Sequence, residues 1–242
     1  MSMYCYQCQE ALKNVACTQK GVCGKDEITA NLQDLLVYVL QQAALYAEKL
    51  PKPLDKNYGT FFCQALFATI TNANFDQDRI TEYIHQATQI RDELKTKLDP
   101  NQLPDIPEPQ VLNTETKDDY INKAPLVGVE HYSDNEDKKS LKSLILYGLK
   151  GLAAYTDHAA VLDHYNDDIF NFIYEALAIT AKDAPADQLT EMVLKTGEYC
   201  VNAMALLDKA NTSTYGNPEI TQVNIGTRNN PAILISGHDL RD

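Results

Sequence analysis

Four of the six cysteines in this 242-residue chain, Cys5, Cys8, Cys17 and Cys23, fall within its first 23 residues. They sit in the stretch CYQCQEALKNVACTQKGVCGK, with the spacing C-x2-C-x8-C-x5-C. Three chemistries use thiols at this density: disulfides, a zinc site and an iron–sulfur cluster. No basic stretch followed by an apolar segment opens the chain, so no secretory signal is read. The expected location is a reducing cytoplasm, where structural disulfides are rare. A Cys-x2-Cys pair brings two thiolates to one metal or cluster from a tight turn, which suits zinc and iron–sulfur sites alike. Four-cysteine zinc sites usually present two such close pairs, and the second half of this spacing has none. A cluster is wider than a single ion and accepts ligands scattered along a wrapping loop. The spacing therefore favours iron–sulfur over zinc, without separating [4Fe–4S] from [2Fe–2S]. Gly21 and Gly24 flank Cys23 and let the backbone turn close to a bulky group. Lys13, Lys20 and Lys25 place positive charge beside the four thiolates.

The other candidate ligands read differently. Cys63 lies in the apolar run Phe61–Phe62–Cys63, and Cys200 lies on the helical stripe Leu189, Met192, Val193, Thr196, Cys200, Ala203, Met204, Leu207. Free cysteine behaves as a small hydrophobe, so these two are expected in the core. His85, His131, His158 and His164 have no second ligand at helical or hairpin spacing and are expected to be surface or locally hydrogen-bonded residues. His238 is placed differently, in NNPAILISGHDLRD. The apolar run there reads as a buried parallel strand over 231–236, with Gly237 turning the chain. His238 and Asp239 then stand just past the carboxyl end, where ligands and metals gather in open α/β sheets. By position alone a polar loop residue is an equally ordinary reading. A lone strand leaves its backbone groups unsatisfied, so residues 211–242 are expected to begin an α/β domain whose remainder lies elsewhere.

Composition sets outer bounds. With 44% apolar and 23% charged residues, the chain reads as a soluble globular protein. A net charge of −13 argues against nucleic acid or an anionic membrane surface as partner. No apolar run approaches the roughly 18 residues of a membrane span.

The elements that must position the cysteine loop are helical. A first helix buries Leu32, Leu35, Leu36, Val39, Leu40 and Ala43 and ends before Pro51; a second covers about 58–73; a third, capped by Asp76, covers about 78–98. Residues 99–133 hold Pro100, Pro104, Pro107, Pro109 and Pro125 and no sustained period, so they read as a connector. Ser133 to Glu136 reads as a capping box opening a fourth helix with the stripe Leu141, Leu144, Ile145, Gly148, Leu149, Leu152. A fifth follows Asn166 over about 166–182, and a sixth covers about 186–210. The two halves repeat. LQDLLVYVLQQAALY (32–46) aligns without gaps on LKSLILYGLKGLAAY (141–155), with identities at Leu32/Leu141, Leu35/Leu144, Tyr38/Tyr147, Leu40/Leu149, Ala44/Ala153 and Tyr46/Tyr155. QALFAT (64–69) then aligns on EALAIT (175–180). The expected fold is mainly α: a cluster loop (1–26), two duplicated three-helix bundles (27–98 and 134–210) around the connector (99–133), and the first strand of an incomplete α/β domain (211–242).

The segments CYQCQE, GVCGK, ANLQDLL, LFATITNANFD, NEDKKSLKSLILYGLKGLAAY, ALLDKANTSTYGNPEITQVNIG and ILISGHDL together resemble the hybrid-cluster protein family, also called prismane protein or hydroxylamine reductase. The resemblance covers essentially the whole chain. It implies a cubane [4Fe–4S] cluster on Cys5, Cys8, Cys17 and Cys23, and a helical domain of two three-helix bundles followed by α/β domains. It assigns His238, in SGHDL, as a ligand of a second, hybrid iron–sulfur–oxygen cluster whose other ligands lie further along in longer relatives. It also implies reduction of hydroxylamine to ammonia, or of nitric oxide, with electrons from an unidentified donor. Since a single histidine does not hold such a cluster, this chain alone is expected to be inactive. Two rival readings are a stand-alone [4Fe–4S] electron-transfer or redox-sensing module and a zinc-stabilised helical interaction protein.

Overall fold

A computed structural model describes residues 3–70, 72–104, 116–128 and 131–234. Seven α-helices occur among them: α1 Glu27–Lys49, α2 Lys56–Ala68, α3 Gln77–Thr96, α4 Lys117–Lys123, α5 Glu136–Val161, α6 Asp167–Thr180 and α7 Ala186–Tyr215. The protein is mainly α.

Short polar side chains start most of these helices by accepting the orphan N–H groups of the first turn. Asp26 caps α1 through Thr29 N at 2.7 Å, Asp76 caps α3 through Asp78 N and Arg79 N, and Asn166 caps α6 through Asp168 N at 2.9 Å. The capping box expected at Ser133 does not form. The helix starts at Glu136 and its cap is Asn135, whose side chain accepts from Lys138 N at 3.0 Å. Glu136 is thereby the first helical residue, too early to reach back as a box requires, and pairs instead with Lys139 at 2.8 Å. Ser133 accepts from Asn135 N at 3.1 Å, tightening the turn before the cap.

The proline-rich connector contains one helix that periodicity does not reveal. At seven residues α4 is too short to display a stripe, yet it is capped by Thr116 and buries Tyr120. With the turn at Ala124–Leu126 it packs on α1. Helix α2 stops earlier than its apolar pattern suggests, because the Thr69 hydroxyl donates to Leu66 O at 2.7 Å and Asn72 takes a positive φ of 64°. Helix α7 runs on to Tyr215, where Gly216 supplies the positive φ of 86° that ends it.

The sequence repeat maps onto an exchange of helices. Helix α1 lies against α3 as α5 lies against α7, and the second helix of each half crosses over: α2 packs mainly on α5, and α6 mainly on α1. One continuous core results, running from Leu32 and Leu36 through Phe62 and Leu66 to Ile145, Leu149, Phe172 and Leu177. Two residues drawn into the expected stripes face outward. Leu144 is 57% exposed and Met204 is exposed as well, since each lies on the flank of a stripe whose centre the neighbouring helix already fills. Residues 231–234 show no strand pairing, and Ile233 and Leu234 are exposed. His238 and the rest of the expected strand lie outside the described residues.

The exchanged helices α2 and α6 meet tightly at Gly59. A Cβ there would sit 2.3 Å from Cγ of Phe170 on α6. In an exposed helix Gly→Ala stabilises, by up to about 1 kcal/mol. Here the ring blocks the methyl group, so Gly59→Ala should instead cost about 1–3 kcal/mol. Thermal unfolding should show the midpoint falling by about 2–4 °C for each kcal/mol lost.

Candidate metal centre

The N-terminal 26 residues reach α1 through two backbone devices that carry all four clustered thiols. Cys5 and Cys17 form an antiparallel bridge, with Cys5 N donating to Cys17 O at 3.1 Å and Cys17 N to Cys5 O at 2.8 Å. Between them the chain reverses over a 3₁₀ turn at Leu12–Asn14, where Lys13 and Asn14 adopt positive φ of 57° and 56°. Cys8 opens this excursion, its carbonyl accepting from Ala11 N at 3.2 Å. A second loop is closed by Gly21 N donating to Lys25 O at 2.8 Å and by Gly24 N donating to Gly21 O at 2.9 Å. Cys23 rides on it, and Gly24 supplies the positive φ of 94° that the turn demands.

Cys5, Cys8, Cys17 and Cys23 line one concavity together with Met3, Glu10, Gly21, Val22 and Lys25. All six cysteines are free thiols. Met3 and Ala30 bury the Cys17 side in a small apolar cluster of its own. A Cβ at Gly21 would come within 3.0 Å of Cys23 Sγ, so glycine keeps the cradle open. Among the described residues no group of three or more His, Cys, Asp or Glu side chains is gathered tightly enough to hold a single metal ion. Four thiols around one glycine-lined hollow, with one buried lysine ammonium among the lining residues, are a donor set that fits a thiolate-bound iron–sulfur cluster.

That ammonium belongs to Lys25, which is 2% exposed and donates to Gln33 Oε1 at 2.6 Å. Gln33 in turn donates to Asn74 O at 2.9 Å, fixing the lysine to the helical body. Lys13 and Lys20, by contrast, point to solvent. The loop is held from above by Tyr6. Its hydroxyl lies 2.5 Å from Ser143 Oγ on α5, and its ring meets Tyr147 edge-on at a centroid distance of 5.7 Å. Burial, with the Asp34 carboxylate adding to it, pushes the Tyr147 hydroxyl far above its ordinary range, so Tyr147 stays neutral. Neither Tyr6 nor Ser143 stands out in the sequence. A tyrosine between two cysteines carries no chemical signature of its own, and only the distant α5 gives it a role.

The remaining candidates are dispersed. Cys63 is fully buried, and burial pushes its thiol well up. Cys200 is half-buried against Gly148, its thiol 3.7 Å from the carbonyl oxygen. His85 pairs with Gln89, His158 meets the Phe67 ring edge-on, and His164 bonds Leu162 O and Ser213.

Residues 3–242 match the prismane/CO dehydrogenase family. The chain belongs to that family. Among curated relatives, a protein named hydroxylamine reductase from Petrotoga mobilis is 51% identical over 255 residues, covering 100% of this chain and 47% of the relative. Proteins of the same name from Chlorobaculum tepidum and Nitratidesulfovibrio vulgaris are each 49% identical, over 99% of this chain and 44% and 45% of their own lengths. The chain thus spans less than half the length of these prismane relatives. Prismane proteins are iron–sulfur proteins, in keeping with the thiol-lined hollow. No described helix is long and apolar enough to cross a membrane.

Tyr6→Ala removes a hydrogen bond of about 0.5–1.5 kcal/mol and an edge-on ring contact of similar size. Limited proteolysis followed by mass spectrometry should show faster cleavage within residues 3–24, with Tyr6→Phe intermediate and α1 to α7 no more susceptible than before. Cys200→Ser should leave that loop untouched and cost on the order of 1–2 kcal/mol of stability.

Proposed function

We propose that this chain carries the electron-relay part of a hydroxylamine reductase, with Cys5, Cys8, Cys17 and Cys23 as the ligands of one [4Fe–4S] cluster. The observation that carries this reading is the gathering of all four thiols on one hollow, in a chain about half identical to proteins named hydroxylamine reductase. The reaction converts hydroxylamine, two electrons and two protons into ammonia and water; nitric oxide is the competing substrate of the same class. When bound, a cubane supplies one-electron transfer at a potential set by burial and by hydrogen bonds to its sulfurs. The chain's own residues do the rest. The Cys5–Cys17 bridge fixes two ligands across one ladder rung, and Gly21 and Gly24 bring Cys23 around the far side. Met3 and Ala30 keep water from the Cys17 thiolate. His238 is proposed, on the SGHDL motif, as a ligand of the hybrid cluster in a protein of the relatives' length. An external donor supplies the electrons, and a reducing cytoplasm keeps the thiolates available.

Anaerobic reconstitution of the chain should yield about four irons and four acid-labile sulfides per molecule. Cys17→Ser should abolish that loading. One tightly bound zinc and no sulfide under the same conditions would overturn the proposal. In a protein that extends this chain to the length of its relatives, His238→Ala should remove hydroxylamine turnover while the visible spectrum of the N-terminal cluster persists.

A further inference from the structure

The internal repeat provides a built-in comparison for one buried charge. In the ungapped alignment of α1 on α5, Gln41 corresponds to Lys150, and in the second aligned block Thr180 corresponds to Thr69. The structure keeps these correspondences. Gln41 Nε2 donates to Thr180 Oγ1 at 2.9 Å, and Lys150 Nζ donates to Thr69 O at 3.4 Å. The two sites occupy equivalent places in the exchange of helices, one on the α1–α6 contact and the other on the α5–α2 contact. One half fills the place with a neutral amide that makes a good hydrogen bond. The other fills it with an ammonium that is only 4% exposed and makes a long one. Burying a charge for so weak a contact is costly unless something nearby is anionic.

Lys150 is tied to the cysteine loop through one ring: its Nζ lies 5.8 Å from the centre of the Tyr147 ring, which meets Tyr6 of the loop edge-on at 5.7 Å. Lys150 feels attraction from Asp34 and from the Cys5 sulfur and repulsion from Lys25. Burial pulls its ammonium below the ordinary value, and Asp34 and Cys5 oppose that. Lys150 thus has Asp34, Lys25 and Cys5 within electrostatic reach, two of them favouring its charge and one opposing it. Four thiolates around a [4Fe–4S] core carry a net negative charge, which grows by one on reduction.

We infer that Lys150 is an electrostatic positioning residue for the cluster in the cysteine hollow: its buried charge offsets the anionic cluster and favours the reduced form. The inference rests on the cluster assignment proposed above. Reduction adds one electron to the cluster, from dithionite in the test, and no bond in the chain is made or broken.

The test is a potentiometric titration of the anaerobically reconstituted chain, followed by visible absorbance, after iron and sulfide have been measured for each variant. Lys150→Gln installs the residue that the symmetric site already accommodates. It should load fully, yet show a reduced-to-oxidised ratio at fixed potential lower by on the order of tenfold, a downward shift of about 59 mV for one electron. Lys150→Arg keeps the charge and should stay near wild type, whereas Asp34→Asn removes the opposing charge and should shift the potential upward. A fully loaded Lys150→Gln chain with wild-type potential would overturn the inference. If that variant fails to load, an unchanged or lowered potential in Asp34→Asn overturns it instead. Wild-type chain that takes up no iron and sulfide would overturn the cluster assignment itself, a result separate from either.

Discussion

The arrangement depends on helix α1 being buried on nearly every side. Helices α3 and α6 and the α4 segment all lie against it, so its polar residues have no solvent to turn to. A buried side-chain amide without a partner costs roughly 1–3 kcal/mol, and three of the four that α1 buries are Gln33, Gln41 and Gln42. Each is answered from a different direction: Gln33 by Lys25 and Asn74, Gln41 by Thr180 on α6, and Gln42 by Arg91 on α3 at 3.3 Å. These bonds contribute little net stability. Their effect is on register, because sliding or rotating α1 by one residue would orphan all three amides at once. The cysteine loop inherits that register through Lys25, which is why a 26-residue segment with little core of its own has a fixed base.

Duplication explains why such an interior closes without a large core in each half. Had each half folded on itself, its second helix would cover only its own first helix. By crossing over, α2 and α6 make the two halves share one apolar interior. The crossing needs close approach, and small residues permit it. Gly59 on α2 admits the Phe170 ring of α6, and within the second half Gly148 likewise admits Thr196 of α7, whose Cγ2 would lie 2.7 Å from an added Cβ. The loop then breaks the symmetry. It lies over the N-terminal half of α5, where Ser143 and Tyr147 receive Tyr6.

Much of this was legible in the sequence because helices announce themselves through spacing. The stripes at Leu32–Ala43 and Ile169–Leu177 are buried as read, and Asp76 and Asn166 cap the helices they precede. What escaped has physical reasons. Seven residues of α4 do not complete two turns, so no period could show. Ser133 and Asn135 are comparable caps, and the choice between them follows from where the chain enters α5. Leu144 is identical in type to its repeat partner Leu35, yet one is exposed and the other fully buried. The repeat preserved the residue while the surroundings changed. Of the candidate site, the four cysteines stood out by spacing, whereas Lys13, Lys20 and Lys25 read alike and only Lys25 is buried. Tyr6, Ser143 and Lys150 did not stand out, because a serine or lysine on a Leu/Ala helix reads as its solvent face.

The distinction between buried and exposed charge also reconciles the acidity of the whole chain with its buried lysines. A net charge of −13 works against gathering four thiolates in one loop. Yet exposed carboxylates act through water and salt, and at physiological ionic strength their influence fades over about 8 Å. Lys25 and Lys150 act from inside the protein, where screening is weakest and each charge counts for several times its surface value. A buried ammonium thus acts on its neighbours more strongly than any one acid on the helix surfaces does. The acidic exterior and the buried lysines can therefore vary independently, one acting on what approaches the protein and the other on the groups packed around them.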